Sequence, residues 1–258
     1  MSDHGHTRPK RPGGRRALFV DPPSVVQEQM VHFLVAAQFE AAIVKDHRAI
    51  DAVLEKFPNS IVYFNADSRL PKGALEQIVR AVISGKERHG ADVGMLSYNE
   101  DQELARLYLM EIGVSCGFVT LNIGFEKSAR TIIRALQAAE ATGDRRFVRV
   151  RVPVGKAGMN ISVSGNERSV SGRVLDMSEA GTACVLDTAY PPGTIFEDIQ
   201  LQLWGSLCKV SGRIAGKRET PEGTVSVIMF DPIGEASVRS KIYAFLKRVM
   251  QHEIDSVL

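Results

Sequence analysis

At 258 residues, with 44% hydrophobic and 24% charged side chains, the chain has the composition of an ordinary globular protein and room for two modest domains. Its formal net charge of +2 gives no global attraction for nucleic acid or an anionic membrane, so functional positive charge must be local. Three widely spaced cysteines, Cys116, Cys184 and Cys208, form no CxxC pair, which argues against a zinc site or a disulfide scaffold and predicts buried structural thiols. No apolar run is long enough to span a bilayer and the first residues lack a signal-peptide core, so a cytoplasmic location is expected.

The opening MSDHGHTRPKRPGGRR is polar, basic and rich in Gly and Pro, and residues 1–15 read as a flexible basic tail. Arg15 and Arg16 could touch an anionic surface; a solvated leader is the simpler expectation. Residues 16–142 then alternate short apolar runs with helical spacing. Strands are predicted at 17–20, 41–44, 61–64, 93–96 and 117–121. Helices are predicted at 25–38, 49–56, 73–84, 102–110 and 127–141. Strands alternating with helices predict a wound, mostly parallel α/β sheet.

After Gly143 the texture changes. Short strand-like runs at 158–164, 169–175, 182–186, 195–203, 207–214 and 224–230 come with turn signals at Ser164-Gly165-Asn166, Pro191-Pro192-Gly193 and Pro221-Glu222-Gly223. Six short strands without intervening helices predict a small antiparallel barrel over residues 143–258. A closing helix over 238–252 places Ile242, Phe245, Leu246 and Val249 on one face.

Two short motifs carry chemistry. Asp144-Arg-Arg-Phe-Val-Arg-Val-Arg151 gathers Arg145, Arg146, Arg149 and Arg151 at the domain junction. A guanidinium offers a planar two-donor fork to phosphate, matches the O6 and N7 acceptors of guanine, and stacks on a base. Taken alone, four arginines beside a linker are more simply a solvated stretch. The second motif is Asp176-Met-Ser-Glu-Ala-Gly181, between two predicted strands. Asp176 can accept the N–H donors of a guanine edge, and Ser178 can donate or accept. Gly181 allows a positive φ or a close backbone approach. Alone, this motif too reads as an ordinary turn.

Together, in this order and beside a small barrel, Arg145/Arg149 as RxxxR and Asp176/Ser178/Gly181 as DxSxxG resemble the PilZ family over about residues 144–235. The resemblance implies a binding protein for the second messenger cyclic di-GMP with no catalytic residues. Arg145, Arg146, Arg149, Asp176, Ser178 and Gly181 would form its ligand site. It also implies a downstream protein partner in control of motility, adhesion or exopolysaccharide.

The N-terminal half resembles a response-regulator receiver in element order and spacing. Its chemistry departs from that pattern: Pro22 and Pro23 follow Asp21 where a second acid belongs, Asn65 stands at the acceptor position, and Asn122-Ile123-Gly124 offers no Lys. A hard cation wants several oxygen ligands, so no magnesium site and no phosphotransfer are expected. Asp67 lies two residues past the acceptor position, where a helix-start role before Pro71 is the expectation.

The six histidines show no HExxH or paired spacing, so no metal is expected, and His32 reads as a packing residue. Gly212-Arg-Ile-Ala-Gly216 lacks the GK[ST] of a phosphate loop. Trp204 is expected to pack against the closing helix. A second function class, a single-stranded nucleic-acid binder, would need exposed aromatics interleaved with basic residues, and beyond Phe147 the barrel offers few.

Overall fold

The structure, a computed structural model, describes residues 14–257 other than 25, 72, 122–123, 163–168 and 222. The chain forms two compact units. One runs to Arg146 and takes in the residues from Ile254 onward; the other is Phe147–Glu253. The division therefore follows Arg146 rather than residue 142.

The first unit is built on five parallel strands: β1 (Ala17–Val20), β2 (Ala41–Val44), β3 (Ile61–Asn65), β4 (Asp92–Ser97) and β5 (Phe118–Thr120). Their order across the sheet is β2-β1-β3-β4-β5. Strands buried on both faces read as continuous apolar runs, and β1, β2 and β4 are buried at every position. Alternate residues feed two cores. Leu18, Val20, Val62 and Phe64 join one cluster, with Leu54, Val79 and Ile254 among its members. Ala17, Phe19, Ile61 and Tyr63 join the other, with Leu34 and Ile132.

Those side chains come from helices α1 (Val31–Ala36), α2 (Ile50–Lys56), α3 (Ala74–Ser84) and α6 (Phe125–Ala138). Helix α1 continues a π-type stretch at Val26–Met30; the predicted start at Val25 lies outside the described residues. The helix predicted over 102–110 is α5 (Gln102–Arg106) followed by a π-type stretch to Ile112. A short helix, α4 (Lys86–His89), had no counterpart in the prediction.

Arg15 is not a solvated leader residue. Its guanidinium donates to the carbonyls of Asn59 and Ala139 at 2.9 Å each and pairs with Asp92 at 2.6 Å. Arg16 lies 4.2 Å over the Phe57 ring and pairs with Glu40 at 3.5 Å. The sheet's first strand is thus tied down at its start by two partly buried arginines. The rest of the predicted tail, residues 1–13, lies outside the described residues.

The second unit is an antiparallel barrel with a closing helix. Its strands are β6 (Arg149–Arg151), β7 (Ala157–Ser162), β8 (Ser169–Ser178), β9 (Gly181–Leu186), β10 (Ile195–Leu203), β11 (Ser206–Thr220) and β12 (Gly223–Phe230). The hydrogen-bonded order β8-β7-β10-β11-β12-β9 closes on itself through β8–β9, giving six strands in a ring with β6 added beside β8. Closure removes free edges from those six strands. Gly212 to Gly216, set aside above as a phosphate loop, lies within β11. The predicted turn at 164–166 lies outside the described residues.

Helix α7 (Ala236–Asp255) buries Ile242, Phe245, Leu246 and Val249 as their spacing predicted, with Val238 and Met250 beside them. Trp204 meets this helix: its ring is edge-on to His252 with centroids 5.4 Å apart, and the Arg248 guanidinium lies 4.4 Å over it. Cys184 and Cys208 are buried free thiols, and Cys116 is partly buried.

Candidate ligand site on the barrel

Three of the eight residues of the basic segment at the domain junction form a strand. Residues 149–151 pair antiparallel with β8 in the register Arg149 with Ser178, Val150 with Met177 and Arg151 with Asp176. Val150 and Met177 are buried, while Arg149 and Arg151 are exposed. Directly opposed residues share a face of a sheet, so the two arginines stand beside Asp176, which is partly exposed, and Ser178, which is buried at 4% exposure. Pairing with β8 thus turns a basic stretch into a fixed row of charges.

Strands β8 and β9 form a tight hairpin in which Ser178 opposes Gly181. A bulge between Val174 and Asp176 re-aims the end of β8. Asp176 is held from two directions: the Thr182 hydroxyl donates to its carbonyl at 2.7 Å, and the Ala183 N–H donates to Oδ1 at 3.3 Å. The Ser178 hydroxyl donates to the Gly181 carbonyl at 3.3 Å. Gly181 does not use a positive φ. Its backbone instead runs so close to β12 that a Cβ would lie 2.3 Å from the Ile228 carbonyl oxygen. Of the two uses of glycine the sequence allowed, close approach is the one realised.

Arg149 Nε lies 3.8 Å from Asp176 Oδ1, with the side chains 44% and 22% exposed. A pair this long and this exposed contributes little stability. It leaves both charges available to a ligand. Arg145 and Arg146 are exposed in the irregular segment that ends the first unit. Four residues of chain bound the Arg145–Arg149 Cα separation at about 14 Å. The structure therefore brings together Arg149, Asp176, Ser178 and Gly181 in the second unit, whereas Arg145 and Arg146 belong to the first. Among the described residues, the large apolar side chains exposed in this unit are Val154, Ile195, Leu207 and Met229, none of them aromatic.

In the first unit, an open cleft of about 970 Å³ lies at the C-terminal ends of the strands, lined by residues including Asp21, His47, Asn65, Asp67 and Arg69. The Asn65 amide donates to the Asp21 carbonyl at 3.0 Å, and Asp21 pairs with His47 at 3.1 Å. Asp67 does not start a helix. Its carboxylate accepts from the Ser97 hydroxyl, the Tyr98 N–H and the Asn99 amide at 2.9, 2.7 and 2.8 Å, fastening the segment after β4. Among the described residues there is no group of three His, Cys, Asp or Glu side chains placed to hold a metal.

No family model matches the chain, and no curated protein matches it. Solved structures similar to it include two groups. One includes the PilZ domain of YcgR from Escherichia coli, solved with c-di-GMP, at 14% identity and a TM-score of 0.37 over 44% of this chain and 96% of that one. YcgR from Escherichia coli in complex with c-di-GMP matches at 16% identity and a TM-score of 0.39, over 45% of this chain and 52% of that one. The other group includes the chemotaxis protein CheY4 of Vibrio cholerae, at 19% identity and a TM-score of 0.39 over 49% of this chain and 99% of that one.

Proposed function

We propose that the chain is a PilZ-type receptor for cyclic di-GMP, with Arg145, Arg146, Arg149, Asp176, Ser178 and Gly181 as its ligand-binding residues. The observation that carries the proposal is the β6–β8–β9 register, which sets Arg149 opposite Ser178 and 3.8 Å from the Asp176 carboxylate. A ligand with two phosphates and two guanines uses what this face offers. Arginine forks take phosphate oxygens or a guanine O6/N7 edge, and a carboxylate takes guanine N–H donors.

The site is split between a preformed part and a tethered part. The hairpin residues are held by backbone pairing before any ligand arrives, whereas Arg145 and Arg146 precede the barrel strands. Binding would draw the tether onto the barrel and change the arrangement of the two units. The free energy for that change is limited to the ligand's differential affinity for the two arrangements. A protein partner would read the new arrangement, in control of motility, adhesion or exopolysaccharide. Identical small-angle scattering with and without saturating ligand would refute this relay while leaving the binding proposal standing.

Calorimetric titration of cyclic di-GMP into the whole protein and into an Arg145→Ala/Arg149→Ala variant tests the binding claim. Each truncated charge-assisted contact costs roughly 1.5–3 kcal/mol, so the double change should weaken binding about a hundredfold or more. An absence of heat with the unaltered protein overturns the proposal.

A further inference from the structure

Register defines rows of side chains around the outside of the barrel. One row runs Arg149, Ser178, Gly181, Met229, Arg213 and Ile195 through five successive pairings. The proposed ligand residues occupy its first three places. Its remainder belongs to neither sequence motif. Neighbouring strands lie about 4.8 Å apart, so the three steps from Ser178 to Arg213 cover roughly 14 Å, an extent suited to a dinucleotide rather than a single phosphate.

The far half of this row has the chemistry of a base seat. Met229 is 47% exposed and Ile195 70% exposed, on either side of Arg213 in the row. Arg213 is itself exposed and forms no ion pair among the described residues. Neither neighbour on its own strand is available for ligand: Gly212 and Ile214 are both buried. Between the two halves lies Gly181, with no side chain to separate Ser178 from Met229. Ser178 itself is 4% exposed, so a ligand held by Arg149 and Asp176 would pass over it and over Gly181 to the far side of the row.

We infer that Met229 and Arg213 form a second part of the ligand seat, which takes the flat face of a purine base. This rests on the cyclic di-GMP reading of the hairpin site. A thioether is polarisable and packs well on an aromatic ring. A guanidinium stacks on a base through its plane, which an ammonium cannot do. Phosphate recognition alone would give an exposed methionine no role. The arrangement divides the ligand chemically: Arg149, Asp176 and Ser178 meet charge and base edges, and Met229 with Arg213 meets a base face.

The test is a calorimetric titration of cyclic di-GMP against the unaltered protein, Met229→Ala, Arg213→Ala, Arg213→Lys and Arg218→Ala. Arg218 is an exposed control near the other end of β12, where it pairs with Val225. Stacking on one base, lost by truncation, predicts roughly tenfold weaker binding for Met229→Ala and Arg213→Ala, and no change for Arg218→Ala. Arg213→Lys should bind as weakly as Arg213→Ala. Melting temperatures within a degree or so of the unaltered protein would confirm that these surface changes leave the fold intact. Unchanged affinity in Met229→Ala and Arg213→Ala, with ligand still bound by the unaltered protein, overturns the second seat alone. Full rescue by Arg213→Lys overturns the base-face assignment, as does an equal loss in Arg218→Ala. No binding by the unaltered protein removes the hairpin reading, and this inference with it.

Discussion

Gly181→Ala separates two reasons for a glycine at the proposed ligand site. The alanine Cβ would lie 2.3 Å from the Ile228 carbonyl oxygen and 3.2 Å from the Met229 Cα. Ordinary contact begins near 3.4 Å, so strands β9 and β12 would have to separate by about 1 Å at their Gly181–Met229 pairing. The obstacle is backbone on both sides, which cannot swing away as a side chain end can. Overpacking of this kind costs typically 1–3 kcal/mol. A midpoint of about 2 kcal/mol should lower the melting temperature of a unit of this size by on the order of 8 °C. The measurement is thermal unfolding without ligand, followed by circular dichroism in the β-sheet region. Because the clash is between backbones, the loss must appear with no cyclic di-GMP present. A melting temperature equal to that of the unaltered protein, with ligand binding lost, would refute this reasoning. It would show that the glycine serves only the ligand's approach.

Arg15→Ala should destabilise the first unit by roughly 3 kcal/mol, because it strips a partly buried Asp92 of one cation and two carbonyls of their donor; urea unfolding with an unchanged midpoint would contradict this. Asp67, whose carboxylate already accepts three hydrogen bonds, should take up no label from acetyl phosphate, and stoichiometric labelling there would refute that. His89 is buried, and its Nδ1 accepts from the Ala91 N–H, so Nε2 carries the proton. Burial holds its pKa below the ordinary value, so below about pH 6.5 the unfolded chain binds the proton more readily than the folded one. Stability of the first unit should therefore fall as pH drops through that range, and a His89→Gln variant should show a shallower fall in denaturant titrations.

The alternation of apolar runs and helical spacing was enough to place both sheets, because burial on two faces and burial on one leave different periods in sequence. Strand β6 was not legible. Three residues with a single apolar side chain, Val150, carry no period, and only pairing with β8 makes them a strand. Arg15 was misread for a related reason: its partners at Asn59, Asp92 and Ala139 are 44 to 124 positions away, and its own surroundings look like a solvated leader. Asp67 was assigned by a local rule about helix starts, while its partners lie 30 to 32 residues further on. The two motifs proposed to bind ligand are visible as words, but the row that joins them to Met229 and Arg213 depends on register across five strands. No spacing along the chain encodes it.

The same register explains why the proposed site needs its arginines in two places. Arg149 is fixed by a strand and already faces Asp176, so it can orient a ligand but has little arrangement left to change. Arg145 lies four residues earlier, outside the barrel's pairing, and in the proposed relay is the part that a ligand would order. A receptor built only from the fixed residues would bind and relay nothing; one built only from the tethered residues would bind weakly, because ordering them costs entropy. In the proposed relay, splitting the set would let the hairpin supply specificity and the tether supply response. On this logic, moving the tethered charges away should weaken the response more than the affinity. Inserting two glycines between Arg146 and Phe147 should leave cyclic di-GMP bound within about tenfold, since loop closure costs rise slowly with length. It should abolish any ligand-dependent change in small-angle scattering. An insertion that keeps the full scattering change would place the relay elsewhere in the protein.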